Sequence, residues 1–226
     1  MIHLATERIA PKLYDISPVI SERIGVFPGD VSFRRNVSLD FKTGDNLVLS
    51  SIQTTLHLGA HTDGPSHYSS TGMGIGERDP WIYMGRCLVL HAKANRGGRV
   101  GRQHLASAWQ TAKEWPAERI LVRTESFPNP EKWNSDFCSF DPSLIEEWAH
   151  AGVKLIGIDT PSIDPESSKG LESHQVVAKH NMAILEGVVL TAVPEGLYTL
   201  IALPLKIEGA DAAPVRAVLI EGADRL

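Results

Sequence analysis

The residues whose types could do chemistry are concentrated in one stretch, His57-Leu58-Gly59-Ala60-His61-Thr62-Asp63-Gly64-Pro65-Ser66-His67. Three of the chain's nine histidines and one carboxylate fall within these eleven residues. Imidazole nitrogen and carboxylate oxygen together form the donor set that suits zinc, manganese and iron. Taken singly, a histidine near a strand end is usually a hydrogen-bonded structural residue, and Asp-Gly-Pro is often only a turn. Four such residues converging on a glycine-bearing turn point instead to a metal site.

The spacing sets a geometric condition. Residues four apart in an extended strand are about 13 Å from each other, too far to share an ion. Backbone compacted to helical spacing brings them to roughly 6 Å. Gly59, Gly64 and Pro65 permit a tight, irregular turn and forbid a long helix. The backbone is therefore expected to curl after His57 and aim several side chains at one point. Local residues do not complete such a site. The best distant candidates are His174 and Glu186, and spacing leaves Glu172, His180 and Asp159 as rivals.

These residues need elements to hold them. The pattern predicts a strand over Leu47–Leu56, with Ile52, Thr54 and Leu56 on one parity and His57 at its end. Apolar runs predict further strands at Arg86–His91, Arg119–Thr124 and Val153–Ile158, the last delivering Asp159. A helix is expected from about Arg102 to Trp115, stopped by Pro116. A second is expected after Asp141, a plausible N-cap with Pro142 at the first helical position, ending before Gly152. Two apolar segments follow, Leu197–Ile207 and Val215–Ile220, and Pro204 predicts a bulge or edge position for the first. The first ten residues read as a loosely held terminus. Strands outnumber helices, and the expectation is one mixed α/β domain spanning residues 1–226.

Composition narrows the class. The 226 residues are 42% hydrophobic and 22% charged, enough for a core without disulfides. Only Cys87 and Cys138 are present, without a C-x-x-C pair, which excludes a cysteine-based structural zinc site and favours a reducing compartment, the cytoplasm. Net charge is −5 and no Lys/Arg block occurs, so no nucleic-acid or anionic-membrane partner is expected. The cluster from Arg96 to Arg102 reads as a solvated loop. No secretory leader and no apolar run of spanning length is expected.

The run from His57 to His67 resembles the signature H-x-G-[TA]-H-x-D-x-P-x-H of the cyclase-like metal hydrolases. More narrowly, the chain resembles the bacterial kynurenine formamidase (arylformamidase) family along nearly all its length. The likeness runs through Tyr14-Asp15-Ile16-Ser17-Pro18, Pro28-Gly29-Asp30, Gly157 to Pro165, Ser173-His174, Leu203 to Lys206 and Gly209 to Ala217. The resemblance implies a swivelling β/β/α fold, a homodimer with the active site near the interface, and two divalent ions per chain. Those ions would be zinc, although manganese and cobalt also suit the ligands. His57, His61 and Asp63 would bind one ion, with Asp63 bridging to the second. His174 would bind the second ion, and Glu186 would bridge both. His67 would be the acid/base residue, and imidazole is the side chain whose unperturbed pKa lies near neutrality. Phe27 stands where the family often has a tryptophan against the substrate ring, keeping a stacking face but dropping the indole N–H.

The implied reaction is hydrolysis of N-formyl-kynurenine to kynurenine and formate, in tryptophan degradation. It would use metal-acidified water, with an ion polarising the formyl oxygen. Two other readings compete. One is another amidase or lactam hydrolase of the same superfamily, opening isatin-like rings. The other is a non-catalytic metal-binding module, disfavoured because a His/Asp/Glu site without cysteine suits open, water-bearing coordination.

Overall fold

The computed structural model describes residues 11–105 and 117–222. Its frame is a seven-stranded mixed sheet. In chain order the strands are β1 (Leu13–Asp15), β2 (Arg34–Leu39), β3 (Leu49–Gln53), β4 (His61–Asp63), β5 (Met84–His91), β6 (Arg99–Val100) and β7 (Arg119–Arg123). They continue with β8 (Ser139–Phe140), β9 (Leu155–Ile158), β10 (Ala183–Leu185), β11 (Gly196–Ile201), β12 (Ala212–Pro214) and β13 (Val218–Glu221). The large sheet has the order β1-β13-β11-β5-β7-β9-β10. Its β1-β13-β11-β5 half is antiparallel and its β5-β7-β9-β10 half is parallel.

The parallel half explains the unbroken apolar runs. Strands of such sheets are covered on both faces, so both parities are apolar. Cys87, Val89, Leu121, Leu155 and Leu185 pack into one core, while Leu88, Leu90, Ile120, Ile156 and Ile158 pack into another. The second core is capped by two helices, α1 (Pro142–His150) and α2 (Glu172–Lys179). Asp141 caps α1 as expected: its side chain accepts from Ser143 N at 2.9 Å with Pro142 following. Strand thus exceeds helix among the described residues, and the α/β expectation holds.

Three expectations need correction. The strand expected over Leu47–Leu56 is only Leu49–Gln53, and it ends four residues before His57. It pairs with β2 in a separate hairpin, and every residue of it is exposed, so its alternation reports no buried face here. The Leu197–Ile207 strand stops at Ile201, before Pro204, and lies inside the sheet between β5 and β13. Arg99 is no solvated loop residue: it sits in β6, paired with Asp164 and Glu172. Of the helix expected over Arg102–Trp115, only Arg102–Leu105 is described, as a 3₁₀ turn; the rest of that expectation lies outside the described residues, as do the first ten residues. Helix α2, by contrast, was not expected from the pattern.

The Asp141 cap carries a measurable share of stability. Asp141→Ala should destabilise the protein by about 1 kcal/mol, the usual cost of a lost N-cap. Urea unfolding checks this, and an unchanged midpoint would remove the capping role.

Candidate active site and metal centre

The chain reaches the site from the β2–β3 hairpin and turns at Gly59, whose φ of 55° lies in the left-handed region open to glycine. It then forms the short buried strand β4, which carries His61 and Asp63, and tightens into a 3₁₀ turn at Pro65–His67. The curl expected after His57 therefore exists, as a turn at Gly59 followed by extended residues rather than as continuous helical spacing. β4 is fixed on both sides. Thr62 and Ala213 pair across β4 and β12, and His61 exchanges both backbone hydrogen bonds with Glu186, at 3.1 and 2.9 Å. Glu186 directly follows β10, so the backbone ladder brings these two remote acidic and basic residues side by side. A close approach enforces the arrangement: a Cβ at Gly187 would lie 2.0 Å from the Gly59 carbonyl oxygen.

Five side chains meet there. Asp63 Oδ1 lies 3.0 Å from His57 Nδ1 and 3.6 Å from His61 Nε2, while its Oδ2 lies 3.5 Å from His174 Nε2. Glu186 repeats the pattern, with Oε2 3.2 Å from His61 Nε2 and Oε1 3.8 Å from His174 Nε2. Donors sharing a tetrahedral zinc at 2.0–2.1 Å stand roughly 3.3 Å apart, and these separations bracket that value. His61 Nε2 and both Asp63 oxygens are buried without a hydrogen-bond partner. Buried polar atoms in that condition are costly. Their convergence on one point is the geometry of a metal-binding site, and the donor set fits divalent ions.

Each imidazole is also held from behind. His57 Nε2 faces Asp211 Oδ2 at 3.0 Å, His61 Nδ1 faces the Gly59 carbonyl at 2.9 Å, and His174 Nδ1 faces Asp164 Oδ2 at 2.8 Å. Such acceptors fix the tautomer and turn the opposite nitrogen inward. Asp164 is in turn bound by Arg99 at 3.0 Å. Asp164 and Asp211 were missed as site residues in the sequence because their roles are set by tertiary contacts. The only signal was their place inside two of the blocks that carry the family resemblance.

The electrostatics follow from burial. Burial alone would push His57 down, but the carboxylates of Asp63, Asp211 and Glu186 outweigh it and raise its pKa to about 9. His174 is likewise lowered by burial and raised, by Asp164, Asp63 and Glu186, to about 10. Asp63 is buried, which favours its neutral form, yet His174, His57 and His61 hold it well below the usual carboxylate range.

His67 joins the site from its 3₁₀ turn. Its ring centroid is 4.2 Å from that of His57, and its Nδ1 is 3.6 Å from Asp211 Oδ2. A donor atom of His67 also falls within 4.8 Å of those of His57 and Asp63. All of these residues open onto one cleft of about 700 Å³. Phe27 lines it and packs edge-on against Trp133, with centroids 5.4 Å apart. Trp133 in turn donates from Nε1 to Glu166 at 2.7 Å.

The rivals for remote ligand are accounted for. Asp159 reaches the cleft wall, but its oxygens accept from Thr124 N, Glu125 N and Thr124 Oγ1 at 2.7–2.9 Å. Glu172 pairs with Arg99, and His180 with Glu146.

The chain is similar to known proteins over most of its length. The family model described as "Putative cyclase" matches residues 14–165. The chain belongs to the cyclase family. Two relatives of this chain are kynurenine formamidases. That of Delftia acidovorans is 44% identical over 208 residues, covering 92% of this chain and 97% of its own. That of Bordetella avium is 43% identical over 210 residues, covering 93% and 98%. Among solved structures, a potential metal-dependent hydrolase with cyclase activity aligns with a TM-score of 0.78 at 24% identity, covering 96% of this chain and all of that one. Isatin hydrolase A from Labrenzia aggregata aligns with a TM-score of 0.80 at 18% identity, covering 93% and 94%. The fold expectation is thereby met, and this protein is a hydrolase acting on an amide. Among the described residues, no helix is long and apolar enough to cross a membrane.

The raised histidines make a prediction for the metal-free protein. A group whose folded pKa lies above its unfolded value stabilises fully below the unfolded value and loses that effect as pH rises through the folded one. For His57 and His174 the window runs from 6.5 to about 9 and about 10. The melting temperature of chelator-treated protein should therefore fall between pH 6.5 and 10. A flat or rising profile would contradict the protonated pairing.

Proposed function

We propose that the protein hydrolyses N-formyl-L-kynurenine to L-kynurenine and formate with two divalent ions, zinc by preference, in tryptophan degradation. One observation carries the metal reading. Asp63 and Glu186 each turn one oxygen toward His61 and the other toward His174, with His57 beside Asp63 Oδ1. His57, His61 and Asp63 would hold one ion, and His174 the other, with Asp63 and Glu186 spanning both. Ions held there supply an acidified water and a Lewis-acidic contact for the formyl oxygen. The two kynurenine formamidases, similar over more than nine-tenths of the chain, support the substrate.

The chain's own residues do the rest. Phe27, backed by Trp133, offers an aromatic face for the arylamine ring. The cleft lining holds Asp30, Glu125 and Glu166 but no Lys or Arg among the described residues, which suits a substrate bearing an ammonium better than a purely anionic one. His67, partly exposed and beside Asp211, would pass a proton to the departing arylamine nitrogen. Asp211 would orient both His57 and His67. A homodimer is part of this reading, and exposed Val37, Leu49 and Ile52 on the hairpin give a second copy apolar surface to cover. Buried, unpaired Cys87 and Cys138 suit the cytoplasm.

The deciding experiment offers formyl-kynurenine and isatin separately and follows absorbance. Turnover of the first that is abolished by chelation and restored by zinc is expected; preference for isatin would favour the ring-opening reading, supported by the shared fold alone. His67→Ala should retain its metal and slow turnover by roughly 10²–10⁴-fold, the scale of lost acid/base catalysis. Loss of metal in that variant would make His67 a ligand instead.

Glu186→Ala separates the bridging role. Elemental analysis should find both ions depleted, because one carboxylate spans them. Two ions per chain retained at wild-type affinity would rule the bridge out.

A further inference from the structure

A second group of ligating atoms converges away from the cleft. Glu146 and His150 lie four residues apart on α1 and so share one face of it. His180 caps the C-terminal end of α2. His180 Nε2 stands 3.0 Å from Glu146 Oε2, and His150 Nε2 stands 3.7 Å from Glu146 Oε1. The two imidazoles meet edge to face with centroids 5.5 Å apart, and one donor atom of each residue lies within 4.8 Å of the others. These separations lie around the roughly 3.3 Å expected of donors on one tetrahedral zinc. His180 Nε2 is buried against the Glu146 carboxylate, whose Oε2 at 3.0 Å is the partner it pairs with. His61 Nε2 in the cleft shows the same combination.

We infer that Glu146, His150 and His180 form a separate divalent-metal site, taking one zinc-class ion with its fourth position open to water. Two neutral imidazoles and one carboxylate are the donor set for such an ion. His150 is 70% exposed, which gives the ion a way in. Lys179 Nζ lies 2.7 Å from Glu146 Oε1 and acts as the resident counter-cation. Its side chain is 63% exposed, so an arriving ion can displace it into water. The bound ion ties α1 to α2, the helix whose first turn carries His174. Its expected effect is therefore to stabilise the helix pair beside the cleft, independently of what the cleft hydrolyses.

The test uses the enzyme already carrying its cleft metal, whose content is measured first, then dialysed against Zn²⁺ at increasing concentration. Wild type should take up one further equivalent, with a rise in melting temperature. His150→Ala and His180→Ala should each weaken that uptake by more than about tenfold. Lys179→Gln should tighten it several-fold, an outcome that damaged folding could not produce. The site is refuted if wild type binds no further equivalent, or if that equivalent persists at unchanged affinity in both histidine variants. Unchanged affinity in Lys179→Gln would remove Glu146 from the ligand set and so overturn the site as described.

Discussion

Two carboxylates buried side by side, Asp63 and Glu186, are the constraint around which the molecule is arranged. Each is 1–2% exposed, and neither can be left charged in that setting without cations close by, since the desolvation of a buried ion costs several kcal/mol. The imidazoles of His57 and His174 answer that need by carrying protons, and together with His61 they are arranged to share ions with the carboxylates. Either way the charges must sit within a few tenths of an ångström of fixed positions. That precision comes from backbone, not from side-chain packing. The reciprocal hydrogen bonds of His61 and Glu186 lock β4 to the end of β10, and the contact of Gly187 with Gly59 leaves no room for another residue.

Asp164 shows how the second layer serves fold and site together. Helix α2 begins after Leu171, which is in the left-handed region and offers no capping side chain. Asp164 supplies the cap from the preceding loop, accepting from the backbone N–H groups of Ser173 and His174 at 3.0–3.1 Å. The same carboxylate holds His174 Nδ1, and Arg99 holds the carboxylate. The start of the helix and the orientation of its histidine are therefore set by one group. Displacing the helix would move the imidazole, and turning the imidazole would uncap the helix.

This double use also explains what was legible in the sequence. The parallel strands β5, β7 and β9 were readable because burial on both faces leaves continuous apolar runs, and α1 was readable because Asp141-Pro142 is a local start signal. Histidine and aspartate spacing from His57 to His67 was readable because four site residues lie on one short segment. Helix α2 was not, since its cap lies outside the helix and before Leu171. The β2–β3 hairpin misled because its alternating side chains face outward on both parities in this chain. Asp164 and Asp211 bind histidines ten and 154 residues away, and nothing local distinguishes either from a surface aspartate.

The fold divides labour in a way that bears on substrate choice. Glu186 and Asp159 follow the carboxyl ends of the parallel strands β10 and β9, where open α/β sheets place their ligands. The inward-facing donors lie on β4, on the turn just before it, directly after β10 or in the first turn of α2; His61, Asp63, Glu186 and His174 are braced by backbone ladders or a cap, and His57 by the Asp211 carboxylate. The cleft's other wall is different. Phe27, Trp133 and Glu166 come from three separate connections, joined by an edge-on aromatic contact, one indole hydrogen bond and the 2.7 Å bond from Gly25 N to the Pro130 carbonyl. Loops of this kind accept substitution more readily than a braced ladder does. A family built this way can keep its hydrolytic centre fixed while the aromatic and acidic wall opposite changes. Phe27 is therefore better judged together with Trp133 behind it than as a lone replacement for a larger ring.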